Sequence, residues 1–213
     1  MNYTRIRLGS FVTNTYIISD NDRNKAIIID PADSHEKIEK LLDGLEPEII
    51  LLTHGHSDHM YEIQYFREKY GSKIYAHCDE HPYFEREELR NPVAVPIEDR
   101  EYVCDVMLKD GDTIEFGPYV FQVIHTPGHT PGSVCYYCPE EKVIFSGDTL
   151  FKGSIGRTDF PMGNVEDIKK SVRHLMLLPD DVKVESGHGF STSIGVERVS
   201  NPFVLAFTSE FES

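Results

Sequence analysis

The segment Thr53-His54-Gly55-His56-Ser57-Asp58-His59 constrains this chain more than any other. It follows Glu48-Ile49-Ile50-Leu51-Leu52, an apolar run bounded by Pro47 that reads as a buried strand. The cluster therefore stands where a strand ends. Side chains two apart on extended backbone point to one side, so His54, His56 and Asp58 converge if the chain stays extended. His59 breaks that alternation, and a helix is expected just after it. Imidazole nitrogens with a carboxylate and no thiolate suit zinc, iron or manganese. Three histidines and one aspartate within six residues are too dense for a loop of unrelated polar side chains, so the segment reads as a metal site.

The chain has 213 residues, of which 39% are hydrophobic and spread along its whole length, enough for a real core in a single domain over 1–213. Its net charge of −15 argues against a general nucleic-acid binder, because phosphate binding needs a positive surface. An acidic surface mainly favours solubility. The expected partner is a small-molecule substrate, and an anionic one must be attracted locally, by metals or a few basic residues. The first residues lack the apolar core of a signal peptide, and no apolar run approaches membrane-spanning length. A cytoplasmic location with reduced thiols is expected, with no membrane partner. Cys135-Tyr136-Tyr137-Cys138 has the spacing of half a zinc knuckle. No second pair exists, and in a strand residues three apart face opposite sides. Both are read as ordinary buried or half-buried cysteines. The oligomeric state is not fixed by the sequence.

Strands are expected over 3–8, 13–19 and 25–29, the last ended by Asp30-Pro31. Ser34 reads as the N-cap of a helix with Ile38, Leu41, Leu42 and Leu45 along its stripe. A further helix carries Ile63, Phe66 and Tyr70 and stops at Gly71. Residues 73–77 form a short strand, 79–89 a charged helix, and 90–104 an irregular loop near the site. Strands at 113–116 and 119–124 flank Gly117-Pro118 as a hairpin. A second pair lies around Pro139-Glu140-Glu141. A helix over 164–178 and a short strand over 182–184 follow. The order of strands and helices fits two packed sheets with helices outside.

Three more segments place a ligand-type side chain beside glycine at a strand end: Gly128-His129-Thr130, Gly147-Asp148-Thr149 and Gly187-His188-Gly189. A rigid scaffold best positions functional side chains at such loops. The series His54-x-His56-x-Asp58-His59, His129, Asp148, His188 resembles the metallo-β-lactamase superfamily over essentially the whole chain. The resemblance implies an α/β (α+β) fold, the four-layer αββα sandwich, with a dinuclear metal site at one edge of the sheets. It implies that His54, His56 and His129 hold one divalent ion and Asp58, His59 and His188 the other, with Asp148 bridging. Zinc is the first expectation, with iron and manganese as alternatives.

Within that superfamily the chain is similar to compact glyoxalase II-type hydrolases. The stretches Gly147–Phe151, Gly153–Asp159, Thr192–Arg198 and Asn201-Pro202 carry the likeness. Ser186 and Phe190 stand where the family usually has proline. Neither is a ligand, so the departures concern loop shape. The chain ends near where the large glyoxalase II enzymes begin a helical C-terminal domain. The resemblance implies hydrolysis of a thioester such as a hydroxyacyl-glutathione by a metal-bound hydroxide. Asp58 is a candidate to hold the attacking oxygen through a hydrogen bond as well, with a simple ligand role as the alternative. Arg157, just beyond the Asp148 loop, is the candidate for a substrate anion, with pairing to Asp159 as its structural alternative. Lys152 is weaker. His35, His77, His81, His125 and His174 fall outside the ligand pattern, and His125 reads as a support for His129. Two alternatives remain: a persulfide dioxygenase with one iron, which shares Gly156-Arg157-Thr158-Asp159-Phe160, and a lactonase. Asp148 argues against a β-lactamase.

Overall fold

The computed structural model describes residues 1–92 and 102–209. Of the loop expected at 90–104, residues 93–101 lie outside the described residues. Two six-stranded sheets stand face to face. The first contains β1 (Tyr3–Leu8), β2 (Thr13–Asp20), β3 (Lys25–Ile29), β4 (Glu46–Leu51), β5 (Lys73–His77) and β6 (Val106–Leu108), in that spatial order. Its first three strands are antiparallel, and β3 to β6 run parallel. The second contains β7 (Thr113–Phe116), β8 (Tyr119–His125), β9 (Val134–Cys138) and β10 (Val143–Gly147). A two-stranded ribbon of β11 (Leu150–Phe151) and β12 (Ser154–Ile155) intervenes in the chain. The second sheet is completed by β13 (Lys183–Ser186) and β14 (Thr192–Ser193), in the order β14-β13-β10-β9-β8-β7.

Both faces of each sheet are covered, which is why several strands read as unbroken apolar runs rather than alternating ones. In β3, Ile27 and Ile29 point between the sheets, where they meet Phe116, Phe121, Tyr136 and Phe145. Ile28 points the other way, onto helices α1 (His35–Leu42) and α3 (Ile63–Tyr70), through Ile38, Leu42, Ile63 and Phe66. The far side of the second sheet is covered by α6 (Val165–Leu175), α7 (Ile194–Ser200) and α8 (Pro202–Ser209). The layers are thus helix, sheet, sheet, helix, as expected. Cys138 lies in the inter-sheet core and Cys135 in the outer one, both free and buried, so their opposite facing matches the strand reading.

Several local expectations change. Ser34 stands at the start of α1, but in the left-handed region its hydroxyl donates to Asp33 and caps nothing. The segment 79–89 is not one helix. It breaks into a 3-10 turn (Cys78–Glu80), α4 (His81–Glu85) and α5 (Glu87–Arg90), because Arg86 is extended. The helix expected over 164–178 stops at Leu175. The tail folds into two helices that the strand-and-loop reading left out.

Candidate metal centre

Strand ends from both sheets open on one rim, and they bring all seven sequence-derived candidates together. The rim is laced across the sheets by the Val134 N–H donating to the Thr53 carbonyl at 2.9 Å and the Asn14 N–H donating to Gly187 at 2.7 Å. Thr13 and His188 also form an isolated bridge. The loop after β4 gives His54 and His56. Helix α2 (Ser57–Met60) then begins at Ser57. Asp58 and His59 are therefore helical, which corrects the expectation that Asp58 extends the alternation of His54 and His56. The turn divides the motif: His54 and His56 face His129, while Asp58 and His59 face His188.

In the first group, His56 Nδ1 lies 3.0 Å from His129 Nε2. His129 is oriented by donating Nδ1–H to the Arg157 carbonyl at 2.8 Å. In the second, His59 Nε2 and His188 Nε2 are 3.3 Å apart. Asp58 Oδ2 is 3.5 Å from each of those nitrogens and accepts from Thr13 Oγ1 at 2.7 Å. His188 Nδ1 donates to the Phe11 carbonyl at 3.2 Å. Asp148 stands between the groups, with Oδ1 3.5 Å from His59 Nε2 and Oδ2 3.6 Å from His129 and 3.4 Å from His188.

Among the described residues, buried His54 Nε2, His56 Nε2 and Asp148 Oδ1 find no hydrogen-bond partner. Buried polar atoms are normally satisfied, so three orphans in one cluster of nitrogen and oxygen donors fit a cation. Gly187 belongs to the same argument. A Cβ there would come 2.2 Å from Asp148 Oδ1 and 2.8 Å from His59, filling the cradle.

Burial holds His54, His56 and His129 below the ordinary histidine range, helped at His54 and His56 by neighbouring imidazoles. Their neutral form is the one that ligates metal. Burial also opposes charge on His59, but Asp58, Asp148 and Asp30 overcome it and push this imidazole up to about 10. Burial would raise the Asp148 carboxyl, yet His59 and His188 hold it well below the usual range.

Two supporting carboxylates escaped the sequence reading. Asp30, at the end of β3, accepts from His59 Nδ1 at 2.9 Å and from the Thr53 N–H and hydroxyl at 2.8 and 2.7 Å. The strand-ending Asp30-Pro31 was the available signal. Glu80 joins the loops at 55 and 130–132. It carried no signal, being one acid in a charged stretch.

A cavity of about 340 Å³ opens on the cluster. Phe11, Phe151, Ile155 and Phe160 give it apolar walls, and Arg90 and Arg157 also line it. The Arg157 guanidinium makes two 2.7 Å hydrogen bonds to Asp159 and stacks 3.8 Å over Phe160. The structural pairing with Asp159 is thus the one formed. Arg90 is buried, donates to the Tyr83 and Phe84 carbonyls, and among the described residues leaves Nε without a hydrogen-bond partner. His125 donates to the Pro131 carbonyl at 2.8 Å, two residues from His129, consistent with a support. His77, Asp79 and His125 also approach one another. There the imidazoles stack at 4.0 Å and 13°, so their in-plane lone pairs cannot converge on one ion.

Residues 8–188 match the family described as the metallo-beta-lactamase superfamily. An uncharacterized protein of Aquifex aeolicus (strain VF5) is 37% identical, with 93% of this chain and 94% of that protein covered. The hydroxyacylglutathione hydrolase GloC of Haemophilus influenzae is 35% identical over 96% of this chain and 98% of its own length. Among solved structures, the BLEG-1 B3 metallo-beta-lactamase superposes with a TM-score of 0.89 at 36% identity, covering 95% of this chain and 99% of that one. TTHA1623 in a di-iron-bound form gives 0.85 at 35%, covering 94% and 99%. ETHE1 from Myxococcus xanthus gives 0.78 at 27%, covering 99% and 91%. The β-lactamase class that Asp148 was expected to set aside is therefore represented among similar structures. On fold, length and sequence, this chain belongs to the metallo-beta-lactamase superfamily.

Proposed function

We propose that the chain is a metal-dependent hydrolase of a thioester, of the hydroxyacyl-glutathione kind, working with two divalent ions. The observation that carries this reading is the split cluster itself. One group of three histidines and one of two histidines with Asp58 flank a single carboxylate, Asp148, with unpartnered buried donor atoms facing inward. His54, His56 and His129 would hold one ion, Asp58, His59 and His188 the other, and Asp148 both. Such ions lower the pKa of a bound water, to about 7 in favourable zinc sites, and polarise a carbonyl. Zinc suits the donor set, and the di-iron form of TTHA1623 keeps iron on equal footing.

The chain's own residues do the rest. Thr13 anchors one oxygen of Asp58, and the other accepts a hydrogen bond from the attacking water and aims it. The apolar walls take the acyl and thiol carbon chains and exclude bulk water. The water first loses one proton to solvent, its oxygen bonds to the acyl carbon, the C–S bond breaks, and the products are a carboxylic acid and a thiolate that leaves without needing a proton. Arg157 turns from Asp159 toward a substrate carboxylate. An exposed ion pair contributes little, so that exchange costs little. The hydroxyacylglutathione hydrolase relative from Haemophilus influenzae supports the thioester class.

The likeness to ETHE1 and the Gly156–Phe160 segment favour a second reading, a persulfide dioxygenase with one iron. Metal analysis of the purified protein, beside assays on lactoylglutathione, glutathione persulfide and a β-lactam, decides. Two ions with lactoylglutathione hydrolysis is the expected result. One iron with oxygen uptake on the persulfide, or turnover of the β-lactam alone, overturns the thioester reading.

A further inference from the structure

Glu80 is 1% exposed. It ends the 3-10 turn after β5, and among the described residues no basic side chain pairs with it. Its oxygens are nonetheless fully engaged. Oε2 accepts from the Gly55 N–H at 2.6 Å. Oε1 accepts from the Thr130 hydroxyl at 2.6 Å and the Gly132 N–H at 2.8 Å. Gly55 lies between His54 and His56, and Thr130 follows His129. One carboxylate thus spans the two loops that carry the whole first group of ligands.

The fit around it is close. A Cβ on Gly55 would stand 2.7 Å from Glu80 Oε2 and 2.4 Å from Tyr83 Cβ, so only glycine lets the backbone between the two histidines reach the carboxylate. The second group is held by other means: Asp30 on His59, Thr13 on Asp58 and the Phe11 carbonyl on His188. Nothing in that set touches Glu80. A buried carboxylate without a cation is expensive. Burial pushes this one up to about 7, against the donors that pull it down. Sites that break a stability rule in this way are where function is expected.

We infer that Glu80 is a positioning residue for the ion held by His54, His56 and His129, setting the distance between their two loops and leaving the other ion's pocket untouched. The inference rests on the two-ion reading above. Groups that orient metal ligands typically change affinity about 10- to 100-fold when removed. Glu80→Gln keeps the volume but replaces one acceptor by an NH2 group that faces backbone and hydroxyl donors.

The test is chelator competition on the metal-loaded protein, with bound metal counted by elemental analysis and folding followed by circular dichroism. Wild type retains two ions. Glu80→Gln should release one at a chelator concentration about 10- to 100-fold lower and hold the second like wild type. Adding His188→Ala, which cripples the other pocket, should leave Glu80→Gln with no tightly held ion. Thr130→Val removes a single donor and is the fallback if Glu80→Gln does not fold. It should weaken the same ion several-fold, and wild-type retention of both ions by the folded Thr130→Val protein overturns the assignment. Two ions in wild type, with Glu80→Gln keeping both at wild-type affinity or weakening both equally, also overturns it. A wild type that takes up fewer than two ions overturns the two-ion reading itself, and this inference with it.

Discussion

Asp30 binds three groups with two oxygens, and all three lie on or next to the His54–His59 motif. The His59 ring is thereby fixed with Nδ1–H on a carboxylate and Nε2 turned to His188, the arrangement by which a carboxylate orients a metal-ligating imidazole. Asp30→Asn should lower the affinity for the ion at His59 about 10- to 100-fold, read by chelator competition, while the fold measured by circular dichroism persists. Unchanged affinity would remove Asp30 from the support of the site. Arg157→Ala should raise KM for an anionic thioester roughly tenfold, the scale of a hydrogen bond to a charged group, with metal content intact. An unchanged KM would leave Arg157 as a partner of Asp159 only. The ligand candidates were legible because histidine and aspartate beside glycine at strand ends are rare and chemically specific. Asp30 had only its place at a strand end before Pro31 to mark it, and Glu80 had nothing, because an acid that acts through hydrogen bonds to distant loops looks like any other acid in a charged stretch.

Helix ends show which element boundaries the sequence could deliver. Asn164 caps α6 by accepting from the Glu166 and Asp167 N–H groups. Asn164→Ala should cost about 1 kcal/mol and lower the melting temperature by about 2 to 4 °C; a shift near zero would show that packing of Ile168, Val172 and Leu175 alone sets this end. Similar signals marked the tail. Ser193 caps α7, and Asn201 followed by Pro202 opens α8. The reading over 164–178 overran because Met176 and Leu178 continue the apolar face past Leu175, where the helix stops. Buried Glu197 explains why the tail motif accompanies the metal loops. It accepts from Gly153, Thr192 and Asn201, tying the β11–β12 ribbon to α7. Such three-way ties depend on tertiary placement, and no spacing rule announces them.

At the scale of the whole molecule, the two sheets were legible from strand order, because runs such as Ile27-Ile28-Ile29 need cover on both faces. How the motif divides between two ligand groups came from the family resemblance and not from local spacing, since it depends on where α2 begins. The rim joins both sheets, so ions bound there would link β4, β8, β10 and β13. Removing them with a chelator should lower the melting temperature. An ion at a hundredfold excess over its Kd contributes about 2.7 kcal/mol, roughly 5 to 10 °C for a chain of this size. A scan that does not move on chelation and re-addition would show that the ions do not help hold the sheets together. One residue in this rim serves two masters. Arg157 steadies His129 with its main-chain oxygen, which every amino acid possesses, and reaches outward with a side chain that is its own. Replacement at that position can therefore retune what the cavity welcomes while the machinery beneath stays intact, and a lineage built on this frame can diversify its diet without rebuilding its engine.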